Sequence, residues 1–242
     1  MLKLYNEKLV GYCESGVSEF GLYGQDTEQV FVGNLKSQSQ DWIYRTKRVL
    51  YDRNSYGHRS KEIENLDKDF ILFLGCSITV GSAVSLKETF PYLVSQQLGI
   101  DYYNLAVEGA GYDLVSFNLS SWFKHIKLKP QAVIIKWPQI VRTFRAYQDK
   151  IVPIGPWSCK SDIGDRISEQ DWRNFNSVID TDYFDHYSKI IRDTIVSMLE
   201  YQNIRVIEVD NTNQIDYGRD LKHPGTKTHE LFFRNILKSF GQ

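Results

Sequence analysis

The 242-residue chain lacks most of what staples, anchors or strongly charges a protein. It has three cysteines, Cys13, Cys76 and Cys159, an odd and scattered set with no C-x-x-C pair. That spacing argues against a disulfide framework and against a structural zinc site. A reducing, cytoplasmic setting is therefore the expectation. No apolar run approaches the roughly 18 residues that a membrane span needs. The segment Met1-Leu2-Lys3-Leu4-Tyr5-Asn6-Glu7-Lys8 holds no apolar stretch of the kind a secretory leader has. A charge excess is missing too, with 29 Lys and Arg against 30 Asp and Glu. Nucleic-acid binders show a basic excess or stripe, and the clusters Arg45–Arg48 and Lys124–Lys129 are too short to make one. Solvated faces account for both.

What is present suits one generous domain. Hydrophobic residues make up 42% of the chain, enough for a well-buried core, and no low-complexity tract interrupts them. From about residue 67 strand and helix signals alternate, the pattern of a parallel sheet covered by helices. Phe70–Leu74 is a continuous apolar run, as a strand buried on both faces should be. Further strands are expected over 101–107, 132–137 and 204–209. Helices are expected over 87–98, with Phe90, Leu93, Val94 and Leu98 inward, and over 112–126, with Leu114, Val115 and Leu119 inward. A third is expected over 185–201, with Ile190, Ile191, Ile195, Met198 and Leu199 inward. A closing helix after His223 should bury Leu231, Phe232, Ile236 and Leu237. Residues 1–66 read as an irregular N-terminal extension packed on a catalytic domain of residues 67–242. Residues 147–184, with Trp157 and Trp172, read as an insertion near the site.

Two motifs about 145 residues apart carry the chemistry. The first is Phe70-Ile71-Leu72-Phe73-Leu74-Gly75-Cys76-Ser77-Ile78-Thr79-Val80-Gly81, a serine presented just past a strand. The second is Asp220-Leu221-Lys222-His223-Pro224-Gly225. A serine hydroxyl needs a base within reach to act as a nucleophile. An Asp three residues before a His can hold the imidazole tautomer that accepts the serine proton. Taken singly, each motif has a plain alternative: Ser77 and Thr79 as helix caps, and Asp220 with His223 as a solvated helix-entry loop. His229 is the competing histidine, but it falls inside the closing helix, where packing is the simpler role. Cys76 is expected to be a small buried residue beside the turn rather than a thiol nucleophile.

Together the motifs resemble the SGNH, or GDSL-type, hydrolases, whose first block reads Gly-Asp-Ser and whose last reads Asp-x-x-His. The resemblance covers residues 67–240 and implies a three-layer α/β/α sandwich around a five-stranded parallel sheet, flavodoxin-like in plan. Four of those strands are legible; the fifth is either near Lys150–Ile154 or absent. The resemblance implies Ser77 as nucleophile, His223 as base and Asp220 as its orienting acid. Asn104-Leu105-Ala106-Val107-Glu108-Gly109 looks like the second block, so Gly109 inherits a backbone oxyanion role. The third block departs from the family: where Gly-x-Asn is expected, the chain reads Ile135-Lys136-Trp137-Pro138-Gln139-Ile140. Gln139 is the candidate replacement for the missing Asn.

The implied activity is a serine esterase working through an acyl-enzyme, with no metal and no organic cofactor. Its partner would be a small-molecule or carbohydrate ester, with acetyl on a sugar favoured because no long apolar lid segment suggests a lipid. The departure in the third block keeps a weakly catalytic or inactive glycan-binding module open, and acyl transfer to an acceptor other than water is a third reading. Oligomeric state is not legible.

Overall fold

Phe70–Gly75 alternates its side chains between two hydrophobic clusters, and that alternation builds the molecule. Phe70, Leu72 and Leu74 enter one cluster, while Ile71 and Phe73 enter another on the opposite face. A strand whose two faces are both covered by apolar side chains must lie in the middle layer of a sandwich. Each fully buried Leu or Phe there contributes about 1.5–3 kcal/mol of transfer free energy.

The structure is a computed structural model, which describes residues 2–5, 9–12, 15–21, 25–147, 150–155, 181–210 and 213–242. In chain order its strands are β1 (Leu2–Tyr5), β2 (Leu9–Tyr12), β3 (Gly16–Ser18), β4 (Tyr51–Arg53), β5 (Phe70–Gly75), β6 (Asp101–Asn104), β7 (Ala132–Lys136), β8 (Thr143–Tyr147), β9 (Lys150–Ile154) and β10 (Arg205–Glu208). The α-helices are α1 (Glu28–Ser37), α2 (Ser77–Val80), α3 (Phe90–Leu98), α4 (Tyr112–Ser121), α5 (Thr181–Tyr201) and α6 (Thr226–Ser239). A π-helical turn over Trp122–Ile126 extends α4.

The central sheet is parallel, in the order β10-β7-β5-β6. On one face α4 and α5 supply Leu114, Val115, Leu119, Ile195 and Leu199 to the first cluster. On the other, α3 and α6 supply Phe90, Val94, Phe232 and Ile236 to the second. The mixed α/β class, its parallel sheet and its flanking helices agree with the sequence expectation. Two details do not. Lys150–Ile154 is a strand, but it pairs antiparallel with β8 and β1 outside the parallel sheet. The reason is topological: only two residues separate β8 from β9, and a parallel neighbour needs a crossover of a dozen or more. Among the described residues the parallel sheet therefore has four strands. Ile190, expected inward, is 65% exposed, because it sits one residue off the Ile191–Ile195–Met198 stripe.

The described residues of the N-terminal segment are tied to the sandwich by polar as well as apolar contacts. Leu2, Leu9 and Val10 join the first cluster. The Asn118 carboxamide on α4 pairs with both backbone groups of Val10, at 2.8 and 2.9 Å. The wholly buried His58 bridges Tyr103 Oη, at 2.9 Å, and the Val10 carbonyl, at 3.1 Å. Trp157 and Trp172 lie outside the described residues.

Candidate active site

Gly75 ends β5 at φ 152°, and a side chain there would drive its Cβ to 2.7 Å from the Lys136 carbonyl oxygen. Only glycine passes this close to β7, so the chain turns sharply and enters α2 at Ser77. Cys76 stands at the N-cap position with extended backbone, and its carbonyl accepts from the N–H groups of Thr79 and Val80. Cys76 is a buried free thiol. Ser77 is 9% exposed. Among the described residues, no hydrogen bond uses its hydroxyl or its backbone N–H. Gly81, left-handed at φ 77°, closes the turn by donating to the Ser77 carbonyl at 3.0 Å.

A second loop follows β6 and is fastened to this turn. Asn104 Nδ2 donates to the Thr79 carbonyl at 2.7 Å, and Ser82 Oγ donates to Glu108 Oε1. Gly109 follows with φ 77°, a left-handed conformation that suits glycine. Its N–H has no hydrogen-bond partner among the described residues.

The third loop carries Asp220 and His223 between β10 and α6. Asp220 is 2% exposed, and its Oδ1 accepts from the backbone N–H groups of Lys222, at 3.0 Å, and His223, at 2.9 Å. Its Oδ2 pairs with His223 Nδ1, which leaves Nε2 as the nitrogen that can take up a proton. Burial alone would push the Asp220 carboxyl up, but the imidazole and the two N–H groups hold it below the usual range. Burial would likewise push His223 down, yet the bond and charge of Asp220, aided by Glu108 and Cys76, hold it above the ordinary histidine value. The result is a half-buried imidazole oriented by Asp220, an arrangement chemically able to accept a proton at Nε2.

The structure thus joins Asp220 to His223 directly. It joins their loop to the serine turn through the Arg219 N–H, which donates to the Ala83 carbonyl at 2.9 Å. Gly218 packs so closely that a Cβ there would lie 2.8 Å from that of Ala83. No direct Ser77–His223 hydrogen bond occurs among the described residues; such contacts commonly tighten only when substrate is bound. Gln139 is exposed on the loop after β7, and its Oε1 accepts from Arg142 Nη2 at 3.0 Å. No hydrogen bond brings it to Ser77, Gly109 or His223 among the described residues. His229 is wholly buried and stacked on Phe90, with Nδ1 accepting from the Phe90 N–H at 3.2 Å. It is a packing residue. Glu108 was missed by sequence reasoning as a partner of the serine turn, because an acid beside a turn glycine carries no local signal.

No protein-family model matches this chain, and no curated protein matches it in sequence. Solved structures do share its outline. A member of the lipolytic G-D-S-L protein family from Veillonella parvula is 14% identical, with 72% of this chain and 99% of that one covered and a TM-score of 0.40. A psychrotrophic esterase, EstA, from Pseudoalteromonas is 14% identical over 71% and 96% of the two chains, with a TM-score of 0.38. A family two carbohydrate esterase from Clostridium thermocellum, in complex with cellohexaose, is 14% identical over 72% and 64%, also at 0.38. At these identities and scores the likeness assigns neither an activity nor a substrate to this chain.

Proposed function

We propose that this chain is a serine esterase of the SGNH type, with Ser77 as nucleophile, His223 as base and Asp220 as its orienting acid. The observation that carries this reading is the buried Asp220 that grips His223 Nδ1, on a loop bonded to the serine turn. In the first step Ser77 Oγ attacks the ester carbonyl carbon while its proton passes to His223 Nε2. The oxyanion that forms is met by the backbone N–H groups of Ser77 and Gly109. Collapse of the tetrahedral intermediate breaks the C–O bond to the alcohol, which leaves with the proton from His223. Water, deprotonated by the same imidazole, then releases the carboxylic acid and restores Ser77. Each proton has a carrier within the chain, so the sequence of steps requires no cofactor. A small acyl group, such as acetyl on a carbohydrate, is the proposed donor, since no long apolar segment suggests a lipid lid.

The test is labelling by a fluorophosphonate probe together with turnover of p-nitrophenyl acetate. Wild type is expected to be labelled and active, and Ser77→Ala to be neither. An unlabelled, inactive wild type would leave the glycan-binding reading in its place. The observation favouring that second reading is the exposed Gln139, held by Arg142 where the family keeps an Asn donor. Binding of cello- or xylo-oligosaccharides without turnover of any acetylated form would establish it.

A further inference from the structure

Arg219, the residue immediately before Asp220, is 1% exposed and sits in a polar circuit that the catalytic steps do not use. Its Nε and Nη2 donate to Asp26 Oδ1 and Oδ2 at 2.9 and 2.8 Å. Its Nη2 also donates to the Glu19 carbonyl at 2.6 Å. Its guanidinium lies over the rings of Phe20, at 4.6 Å, and Phe31, at 5.3 Å. Tyr51, also buried, donates its hydroxyl to Asp26 Oδ2 at 2.5 Å and accepts at the same oxygen from the Ala83 N–H at 2.7 Å. The Ala83 carbonyl then accepts from the Arg219 N–H, and the ring of bonds is closed.

This circuit spans two strained points of the site. Ala83 stands at φ 67° at the end of the serine turn, and Leu221 at φ 57° between the two residues of the acid–base pair. Neither is a glycine, and such conformations persist only where the surroundings over-determine them. Asn34 adds a further clamp, donating to the Arg219 carbonyl at 3.0 Å. Every anchor in this set, Glu19, Asp26, Asn34 and Tyr51, comes from the N-terminal residues rather than from the sandwich.

A buried ion pair is weak evidence for stability, because desolvating two charges offsets their attraction. Geometry is the better account of why this one stands here. We propose that Asp26, Arg219 and Tyr51 are positioning residues, through which the N-terminal region holds the Asp220–His223 loop in register with the Ser77 turn. The inference rests on the esterase reading above, and it makes the N-terminal residues a working part of the site.

Two variants and two measurements test it. The double substitution Asp26→Leu with Arg219→Met replaces both charges by apolar groups and leaves no unpaired charge, the change that buried pairs tolerate best, although the Tyr51 hydroxyl and the Glu19 carbonyl each lose a partner. Tyr51→Phe removes only the hydroxyl. Turnover of p-nitrophenyl acetate and the titration of the His223 imidazole by NMR are followed in each. Among the described residues, the groups whose charges act on that imidazole are Asp220, which also bonds it, Glu108, Cys76 and His229. The double variant is expected to lower kcat by about 10²-fold, the scale of an ångström-size misplacement, with KM within twofold. His223 should titrate at least half a pH unit closer to its ordinary value in both variants, because Asp220 no longer holds it squarely. If the double variant does not fold, Tyr51→Phe decides by the same titration. An unmoved His223 titration, or a kcat within twofold of wild type in the folded double variant, overturns the proposal. If wild type turns out neither labelled by fluorophosphonate nor active, the esterase reading fails, and the titration alone then upholds or overturns the positioning role.

Discussion

At the scale of single residues, the two neighbouring histidines illustrate how environment divides chemistry from packing. His223 keeps one nitrogen on Asp220 and has no partner for the other among the described residues, and Asp220 keeps it more basic than usual. His223→Ala is expected to abolish esterase turnover, and Asp220→Asn to lower kcat by about 10⁴-fold through the wrong tautomer. Because the base must be neutral to accept a proton, kcat/KM should fall as pH drops through the His223 pKa. Asp220 holds that pKa above the ordinary histidine value, so the acid limb of the rate profile should lie higher than an unpaired imidazole would place it, and Asp220→Asn should move any residual limb down. His229 has the opposite surroundings, and burial pushes its pKa down to about 3. His229→Ala should leave the Phe90 N–H orphaned, at a cost of about 1–3 kcal/mol in a denaturant titration, while the folded fraction keeps its activity. Gln139 is exposed and engaged with Arg142. Gln139→Ala is therefore expected to change kcat by less than about tenfold, short of the 10²–10³ that a sequestered oxyanion donor carries. A loss of that full size would return Gln139 to the mechanism.

At the scale of elements, the β5–α2 junction is where backbone and chemistry meet. Gly75 is needed twice over, for its φ of 152° and for the closeness of the Lys136 carbonyl. Gly99, the left-handed C-cap of α3 at φ 64°, has nothing within 4 Å of where a Cβ would stand, and so isolates conformational strain from steric clash. Gly99→Ala should cost about 1–2 kcal/mol for the left-handed backbone and leave turnover unchanged. Gly75→Ala should cost more than that in denaturant midpoint and also lower kcat, because relieving the clash moves Ser77. Equal activity in the two folded variants would separate the serine from the strand end that presents it.

At the scale of the whole molecule, two buried histidines link stability to pH. Burial holds His58 at about 4 and His229 at about 3, both below the ordinary 6.5. Both are neutral in the folded state, whereas the unfolded chain takes up protons as pH falls below 6.5. The unfolded state thus binds more protons across that window, and stability must rise with pH there. Melting temperature is expected to fall progressively from pH 6 to pH 4.5, below the range in which His223, held above its ordinary value, acts in the opposite sense. Replacing His58 by Gln, which keeps a side chain able to hydrogen bond, should flatten part of that slope even if it lowers the plateau.

What could be read along the chain was what is local: the apolar runs, the alternation of strand and helix, and the serine and acid–base motifs. Phe70–Leu74 must be buried on both faces whatever surrounds it, and Asp220 with His223 three residues later can pair without help from distant residues. The sequence left open whether Lys150–Ile154 joins the parallel sheet, since an apolar run of five does not state which neighbour it pairs with; the short link to β8 decided that. It placed Ile190 inward because one residue of helical phase is below the resolution of a mixed apolar stripe. The circuit of Asp26, Tyr51, Ala83 and Arg219 was illegible for a deeper reason. Its members lie up to 193 positions apart, and a buried carboxylate, a phenol and a guanidinium announce no partnership along the chain. Only the closed tertiary packing, which must satisfy every buried polar group at once, brings them into contact and ties the N-terminal residues to the Asp220–His223 loop.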